Sequence, residues 1–251
     1  MIKFTKGKHQ QQIIKEWDNI AKLRMKQMLQ DKDLSYSFIL VPTIYELSKK
    51  SDFAHVIDVG CGPGHLVAKL GKKARRIVGV DASKVNIDLA NNCYSKISNA
   101  VFVNSTIESF VYKQKKSLFT LGIANMSLMS MLNLPLVLKS IAKVLKRRAH
   151  FIFTISHPCY WPWYWGYASE AWFDYKKEIC IEAPFKISLE QNCDKITTHI
   201  HRPLEQYLSS LIKAGFLIDK VLEPMPAKIV EKKYPKPWGY PRFLAVRCIK
   251  K

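Results

Sequence analysis

Nowhere in the 251 residues is there an unbroken apolar run of eighteen, the length that a bilayer-spanning helix needs. The N-terminal stretch Met1-Ile-Lys-Phe-Thr-Lys-Gly-Lys-His9 is polar and basic and lacks the apolar centre of a secretory signal. The two absences make a cytoplasmic protein without a membrane span the expectation. Six cysteines, Cys61, Cys93, Cys159, Cys180, Cys193 and Cys248, include no C-x-x-C pair and no His/Cys ligand spacing. They read as free intracellular thiols, with neither a metal site nor a disulfide framework implied. No internal repeat or low-complexity segment is visible, and 48% hydrophobic with 12% aromatic residues places the chain in the globular class. Acidic residues are scarce: 20 Asp and Glu stand against 40 Lys and Arg, a net charge of +20. Such a field attracts phosphates, anionic lipid or an acidic metabolite. The basic residues are nevertheless dispersed, with short clusters at Lys49-Lys50, Lys72 to Arg76, Lys113 to Lys116 and Lys146 to Arg148. No recognised nucleic-acid-binding module accompanies them, so a nucleic-acid partner is the less favoured reading.

What is present reads as alternating strand and helix after a helical start. Ile13, Ile14, Trp17, Ile20, Ala21 and Leu23 have helical spacing between about Gln10 and Gln30, and a second helix runs from Tyr36 to about Lys49, with Pro42 delaying or kinking it. Strands are then expected at His55–Val59, Ile77–Val80, Val101–Val103, Phe119–Ala124 and Phe151–Ile155. Helices follow after the first, with Ser83 as the cap after the second, and from Leu134 to Leu145. This alternation is the pattern of an α/β sheet with parallel strands. It breaks between Cys159 and His201, read as an insertion forming a hairpin or lid. It resumes with a helix from Leu204 to Ala214, stopped by Gly215, and strands at Leu217–Leu222 and Phe243–Ile249. The expected organisation is one domain over 1–251, with a helical cap at 10–50 and a lid or acceptor-binding segment at 159–201.

The organising stretch is His55-Val-Ile-Asp-Val-Gly-Cys-Gly-Pro-Gly-His-Leu66, an apolar strand running into three alternating glycines. Gly60, Gly62 and Gly64 allow backbone to approach a nucleotide-like cofactor with no Cβ in the way. Asp81, about twenty positions on, fits the acidic residue of a dinucleotide fold. Against NAD, His65 stands where the third glycine of that fingerprint belongs, and Asp58 before the turn would repel a pyrophosphate. Asp58 suits a positively charged ligand, an α-amino group or a sulfonium.

Asp58-Val-Gly-Cys-Gly-Pro-Gly64 followed by Val80-Asp-Ala-Ser83 resembles motifs I and II of the class I S-adenosylmethionine-dependent methyltransferases. Val101 to Thr106 and Phe119 to Asn125 fall on that family's adenine-contacting segment and fourth strand. Glu16-Trp-Asp-Asn-Ile-Ala21, Ser156-His-Pro-Cys159, His201-Arg-Pro-Leu204, Ala214-Gly-Phe216 and Pro241-Arg-Phe-Leu244 are similar to a group of bacterial small-molecule methyltransferases. The resemblance implies a Rossmann-like α/β fold. Its seven-stranded, mostly parallel sheet has an antiparallel last strand, with helices on both faces, N-terminal helices and a lid inserted after the fifth strand. It implies S-adenosylmethionine as cofactor and S-adenosylhomocysteine as product. Asp58, Gly60 and Cys61 would lie beside the methionine moiety, and Gly62 and Gly64 would let the backbone pass close. Asp81, next to Ala82, would accept from both ribose hydroxyls, Thr106 or Ile107 would present backbone to adenine, and Asn125 would lie near the methionine tail. Two positions depart from the family: Ser105 replaces an acidic adenine reader, and Thr120 replaces the common Asp of strand four.

Methyl transfer from a sulfonium is an in-line displacement that asks mainly for alignment and exclusion of water. Where the acceptor must lose a proton, a histidine has the right range, and His157, after strand five, ranks first, His201 second and His199 third. His157 serves equally as a turn-fixing residue, and His201 with Arg202 as helix entry or lid anchor. Tyr160, Trp161, Trp163, Tyr164, Trp165 and Tyr167 form a run that either lines an acceptor pocket or packs a lid. Trp17 either covers the cofactor or is buried on its helix, and Arg242 reads as structural. The acceptor class expected is a small molecule. The alternatives are an RNA or protein methyltransferase, raised by the charge, and a non-catalytic cofactor-binding regulatory protein.

Overall fold

The computed structural model describes residues 2–114, 118–190 and 193–251, so Lys115 and Lys116 of one basic cluster and 191–192 of the expected lid lie outside the described residues. The N-terminal segment contributes β1 (Lys3–Thr5) and α1 (Gln10–Leu29). A π-helical turn at Tyr36–Leu40 then leads into α2 (Val41–Leu47). Pro42 has no N–H to donate and its ring would press on a carbonyl one α-turn back, and the wider π turn just before it is a common way to absorb that. The helix continues, with Pro42 in its first turn.

The main sheet begins with β2 (His55–Val59), α3 (His65–Gly71), β3 (Arg76–Asp81) and α4 (Lys84–Tyr94). It goes on with β4 (Ala100–Asn104), α5 (Ile107–Lys113), β5 (Phe119–Asn125) and α6 (Leu134–Val144). Ser83 caps α4 by accepting from the Asn86 N–H, and Asn133 caps α6 by accepting from that of Leu136. α5 is a helix that periodicity did not announce; Thr106 caps it through the N–H of Ser109. β6 (Leu145–Ser156) is longer than expected because α6 stops at Val144 and Leu145 already pairs with Phe119. After the insertion come α8 (Leu204–Lys213), β9 (Phe216–Leu222), a short α9 (Lys228–Glu231) in the Pro-rich connection, and β10 (Phe243–Lys250). Gly215, at φ +87°, supplies the left-handed residue that ends α8.

Strand order is β4-β3-β2-β5-β6-β10-β9, with β10 antiparallel to both neighbours and the other pairs parallel. Strand residues alternate between two apolar layers: Ile57 and Phe151 pack with Phe110, Leu138 and Leu211, while Val56 and Ile152 pack with Ile44, Val67 and Leu70. Parallel strands are covered by helices on both sides, which is why β5 is buried from Phe119 to Ala124. The carboxyl ends of β2, β3, β5 and β6 therefore open at one edge, where such sheets bind ligands.

The insertion contains α7 (Trp161–Trp165) and the antiparallel pair β7 (Ile179–Pro184) and β8 (Ile196–His201). β1 joins this pair as a third strand, with Phe4 opposite Ile181. The polar N-terminus is thus part of a second, small sheet, a long-range pairing that local pattern did not reveal. α1 lies between the two sheets: Glu16 accepts from the Thr198 N–H and hydroxyl on β8, and Asp18 accepts from Ser83 at the start of α4. Among the described residues no helix is long and apolar enough to cross a membrane.

Candidate functional site

A cavity of about 780 Å³ lies at the carboxyl edge of the main sheet, roofed by α1, α7 and the small sheet. That is within the range of small-molecule and cofactor sites. Its floor is the turn after β2. Gly60, Gly62 and Gly64 have φ of +72°, +53° and +82°, a region that L side chains avoid. At Gly60 an added Cβ would stand 2.4 Å from Cβ of Ser127, so the turn and the end of β5 close on each other only with glycine there. At Gly62 an added Cβ would meet nothing within 4 Å, and the backbone faces open space. Gly64 does not line the cavity; its missing side chain admits the Phe102 ring, 2.6 Å from where Cβ would be, so it serves packing of α3 against β4.

Two carboxylates sit in this cradle. Asp58 is buried, forms no side-chain hydrogen bond among the described residues, and its Oδ1 has no partner. Burial, and secondarily the charge of Asp81, pushes its pKa up to about 8. Asp81 accepts from the N–H of Gly62 and of Ser83, each at 2.8 Å, one on each oxygen. Burial raises its pKa as well, against the hydrogen bonds from Ser83, Gly62 and the Asn86 side chain. A carboxylate has about four acceptor sites, so Asp81 keeps capacity to accept from ligand hydroxyls. A ligand with a cationic group and a diol fits this pair; an anionic one does not. Cys61, Ala82, Thr106, Ile107 and Asn125 also line the cavity, as does Trp17, half-buried and edge-on to Phe185. The Glu16-Trp-Asp18 run thus sends its first side chain to the small sheet, its second to the cavity and its third to the α4 cap.

The other end of the cavity is aromatic. Of the six aromatics in the expected run, Trp161, Tyr164 and Trp165 line it, the i, i+3 and i+4 positions of α7. The other three do not. Tyr160 stacks on Tyr240 at 5.5 Å, Trp163 is 65% exposed, and Tyr167 is buried in the core of the insertion beside Ile179 and Ile181. Helical geometry decides this division, and alternation along a sequence cannot show it.

Neither of the two histidines ranked first lines the large cavity. His157 accepts the Cys159 N–H at Nδ1, so Nε2 carries the proton and donates to Glu223 at 2.8 Å. Its backbone N–H donates to the Arg242 carbonyl, tying the end of β6 to the start of β10. His201 bonds the Tyr175 carbonyl at 3.0 Å and packs on Phe173. Both imidazoles are shifted down by burial. His199 is the one of the three at the cavity wall, bonded to the Tyr167 hydroxyl, and burial lowers its pKa to about 3. It is neutral at pH 7. Arg202 is fully buried and donates to the carbonyls of Leu128, Met131 and Leu132 and to Glu178, fixing the loop after β5 that forms part of the cavity wall.

Several lining residues had no motif to mark them. Arg24 on α1 pairs with Asp33, and Tyr36 has a buried hydroxyl without a partner beside the field of Asp58. Ser127 donates to the Val59 carbonyl and pins the β5 end to the glycine turn. Arg242 also reaches the cavity, where a structural residue was expected.

A family model described as a methyltransferase domain matches residues 50–214. The comparison with curated proteins finds no match. Among solved structures, an S-adenosylmethionine-dependent methyltransferase from Mesorhizobium loti is 20% identical, with TM-score 0.64 over 83% of this chain and 96% of that one. One from Clostridium acetobutylicum is 15% identical, with TM-score 0.58 over 84% and 90%. The N-methyltransferase NodS from Bradyrhizobium japonicum, in complex with S-adenosyl-L-homocysteine, is 13% identical, with TM-score 0.51 over 91% and 86%. At these identities the likeness is one of fold.

Proposed function

The chain belongs to the methyltransferase-domain family, and from that membership we propose that it transfers the methyl group of S-adenosylmethionine to a small-molecule acceptor held in the aromatic end of the cavity. The observation that carries this reading is the unpartnered, buried Asp58 at one end of a cavity whose other end is walled by Trp161, Tyr164 and Trp165. When bound, the cofactor supplies an activated methyl group on a sulfonium. Asp58 would receive the ammonium of its methionine moiety and thereby give up its own proton. Asp81 would hold the ribose hydroxyls. The backbone at Gly60 and Gly62 would lie against the ligand, and Thr106 and Ile107 would bound its base. Trp17 would cover it from α1. The roof of α1, α7 and the small sheet would shield the reacting atoms from water, and the aromatic wall would align the acceptor.

The general-base role expected for His157 or His201 is set aside in this reading, because both rings are engaged away from the cavity. Alignment then does most of the work, with acceptors that need little proton removal preferred. A macromolecular acceptor is less well served, since Trp161, Tyr164 and Trp165 wall the end of the cavity where the acceptor would lie. The test is transfer of labelled methyl from S-adenosylmethionine to a panel of small acids, amines and phenols, with bulk RNA in parallel. Label in a small molecule and none in RNA is expected. Label in RNA alone, or cofactor binding with no acceptor in any panel, would overturn the small-molecule assignment.

A further inference from the structure

The net charge of +20 is largely surface lysine, and the arginines drawn into the protein are compensated. Arg24 pairs with Asp33, Arg202 with Glu178 and Arg247 with Asp219. Arg242 is the exception. It is 6% exposed, and among the described residues no carboxylate forms an ion pair with it. Glu231, whose field reaches it, accepts the Trp238 N–H at 2.7 Å and forms no ion pair with it among the described residues. The guanidinium lies 4.0 Å from the ring centre of Tyr164 and 4.2 Å from that of Trp238, with Tyr234 at 5.5 Å. Nη2 makes two long bonds, 3.4 and 3.5 Å, to the carbonyls of Lys236 and Pro237. Nε and Nη1 make none among the described residues.

A buried cation without a counter-charge is costly. Aromatic rings offset part of that cost through their faces, and they leave the in-plane N–H donors of the guanidinium unused. Those donors are matched to a planar carboxylate in the two-bond fork. Arg242 stands immediately before β10, opposite the end of β6, and lines the cavity together with Trp161, Tyr164, Trp165 and Phe243. Lys236 lines the same end and adds positive charge. Asp33, the acidic residue that lines the cavity next to Ser35 and Tyr36, is already taken by Arg24.

We propose that Arg242 is the anchor for the carboxylate of the methyl acceptor, and that the acceptor is an aromatic or apolar carboxylic acid whose body lies against the exposed faces of α7. This rests on the methyltransferase reading and adds the substrate class to it. The backbone N–H of His157 donates to the Arg242 carbonyl and so ties the anchor to the end of β6.

The test is calorimetric binding to the full chain saturated with S-adenosylhomocysteine, using phenylacetate, its amide and benzylphosphonate as probes, with Arg242→Met and Arg242→Lys beside the native protein. Phenylacetate should bind native protein about tenfold or more tightly than the amide. Arg242→Met should abolish that preference, and Arg242→Lys should keep part of it. Equal binding of acid and amide by the native protein overturns the proposal and leaves Arg242 an aromatic-stacked strut. Tighter binding of the phosphonate overturns the carboxylate assignment. Failure of S-adenosylhomocysteine itself to bind is a separate result: it refutes the methyltransferase reading, and this inference with it. The acid-to-amide comparison needs no variant, so misfolding of a mutant cannot mask the outcome.

Discussion

At pH 7 a carboxyl with a pKa of about 8 keeps its proton in about nine molecules of ten, so Asp58 is mostly neutral before ligand arrives. A ligand that brings an ammonium group to it must displace that proton. Binding of S-adenosylhomocysteine is therefore expected to strengthen about ninefold from pH 6 to pH 7, about 1.3 kcal/mol, and to release about 0.9 proton at pH 7. His65 and His199, held down by burial at about 4 and about 3, are neutral across this window and add no slope. Asp81 is raised as well, by its own burial. Asp58→Asn separates the two: it should flatten the pH dependence, remove the proton release and weaken binding at pH 7 by about tenfold. The assay is titration calorimetry at both pH values in two buffers of different ionisation enthalpy. An affinity that is flat from pH 6 to 7, or a slope that survives in Asp58→Asn, would refute the assignment of Asp58 to a cationic group.

Without ligand the same residue works against the fold as pH rises. Its pKa is raised above that of the unfolded chain, so its contribution is fully present below about 4 and is lost as pH climbs through about 8. Urea unfolding of the ligand-free proteins should show Asp58→Asn gaining about 4 kcal/mol on the native protein between pH 4.5 and 7.5, and a constant difference would contradict the burial argument. Gly60→Ala places a Cβ 2.4 Å from Ser127 at φ +72° and should cost about 2 kcal/mol or more with loss of S-adenosylhomocysteine binding; near-native stability and affinity would show that the turn has room to move. Arg202→Met breaks four hydrogen bonds of a buried cation and should destabilise by about 3–5 kcal/mol in the same urea assay; a loss below 1 kcal/mol would mean the loop after β5 holds itself. His157→Phe should cost about 1–2 kcal/mol of stability and leave S-adenosylhomocysteine affinity unchanged; a weakened affinity would bring that ring back into the site.

Much of the frame is legible along the chain because it depends on neighbours in sequence. Strand periodicity, caps at Ser83 and stops at Gly215 act over a few residues, and each fell where local pattern placed it. The glycine turn is local too, since a left-handed φ asks for glycine whatever lies around it. Asp58 and Asp81 are joined by one strand-helix-strand unit, whose geometry is nearly constant, so their shared cradle could be expected from spacing. Where local pattern falls short, the cause is shared. Tyr160, Trp163 and Tyr167 stand in one run with Trp161, Tyr164 and Trp165, and a run of aromatics carries no sign of which side chains turn inward. The N-terminal strand leaves no local sign because Lys3, Phe4 and Thr5 acquire a partner only across the fold, with Lys3 opposite Glu182.

The sequence by itself determined the sheet, the turn and the acidic pair, and with them the kind of cofactor the chain can take, because these rest on backbone geometry and on contacts between adjacent elements. Tertiary structure alone decided the aromatic end of the cavity. There Arg242 reads as structural on its strand. It becomes a buried guanidinium at the cavity wall, with no ion pair among the described residues, only when α7, the loop before β10 and the end of β6 meet around it. Charge compensation is a property of what surrounds a group in space, and residues 161 to 165 and 234 to 242 come together only in the folded chain.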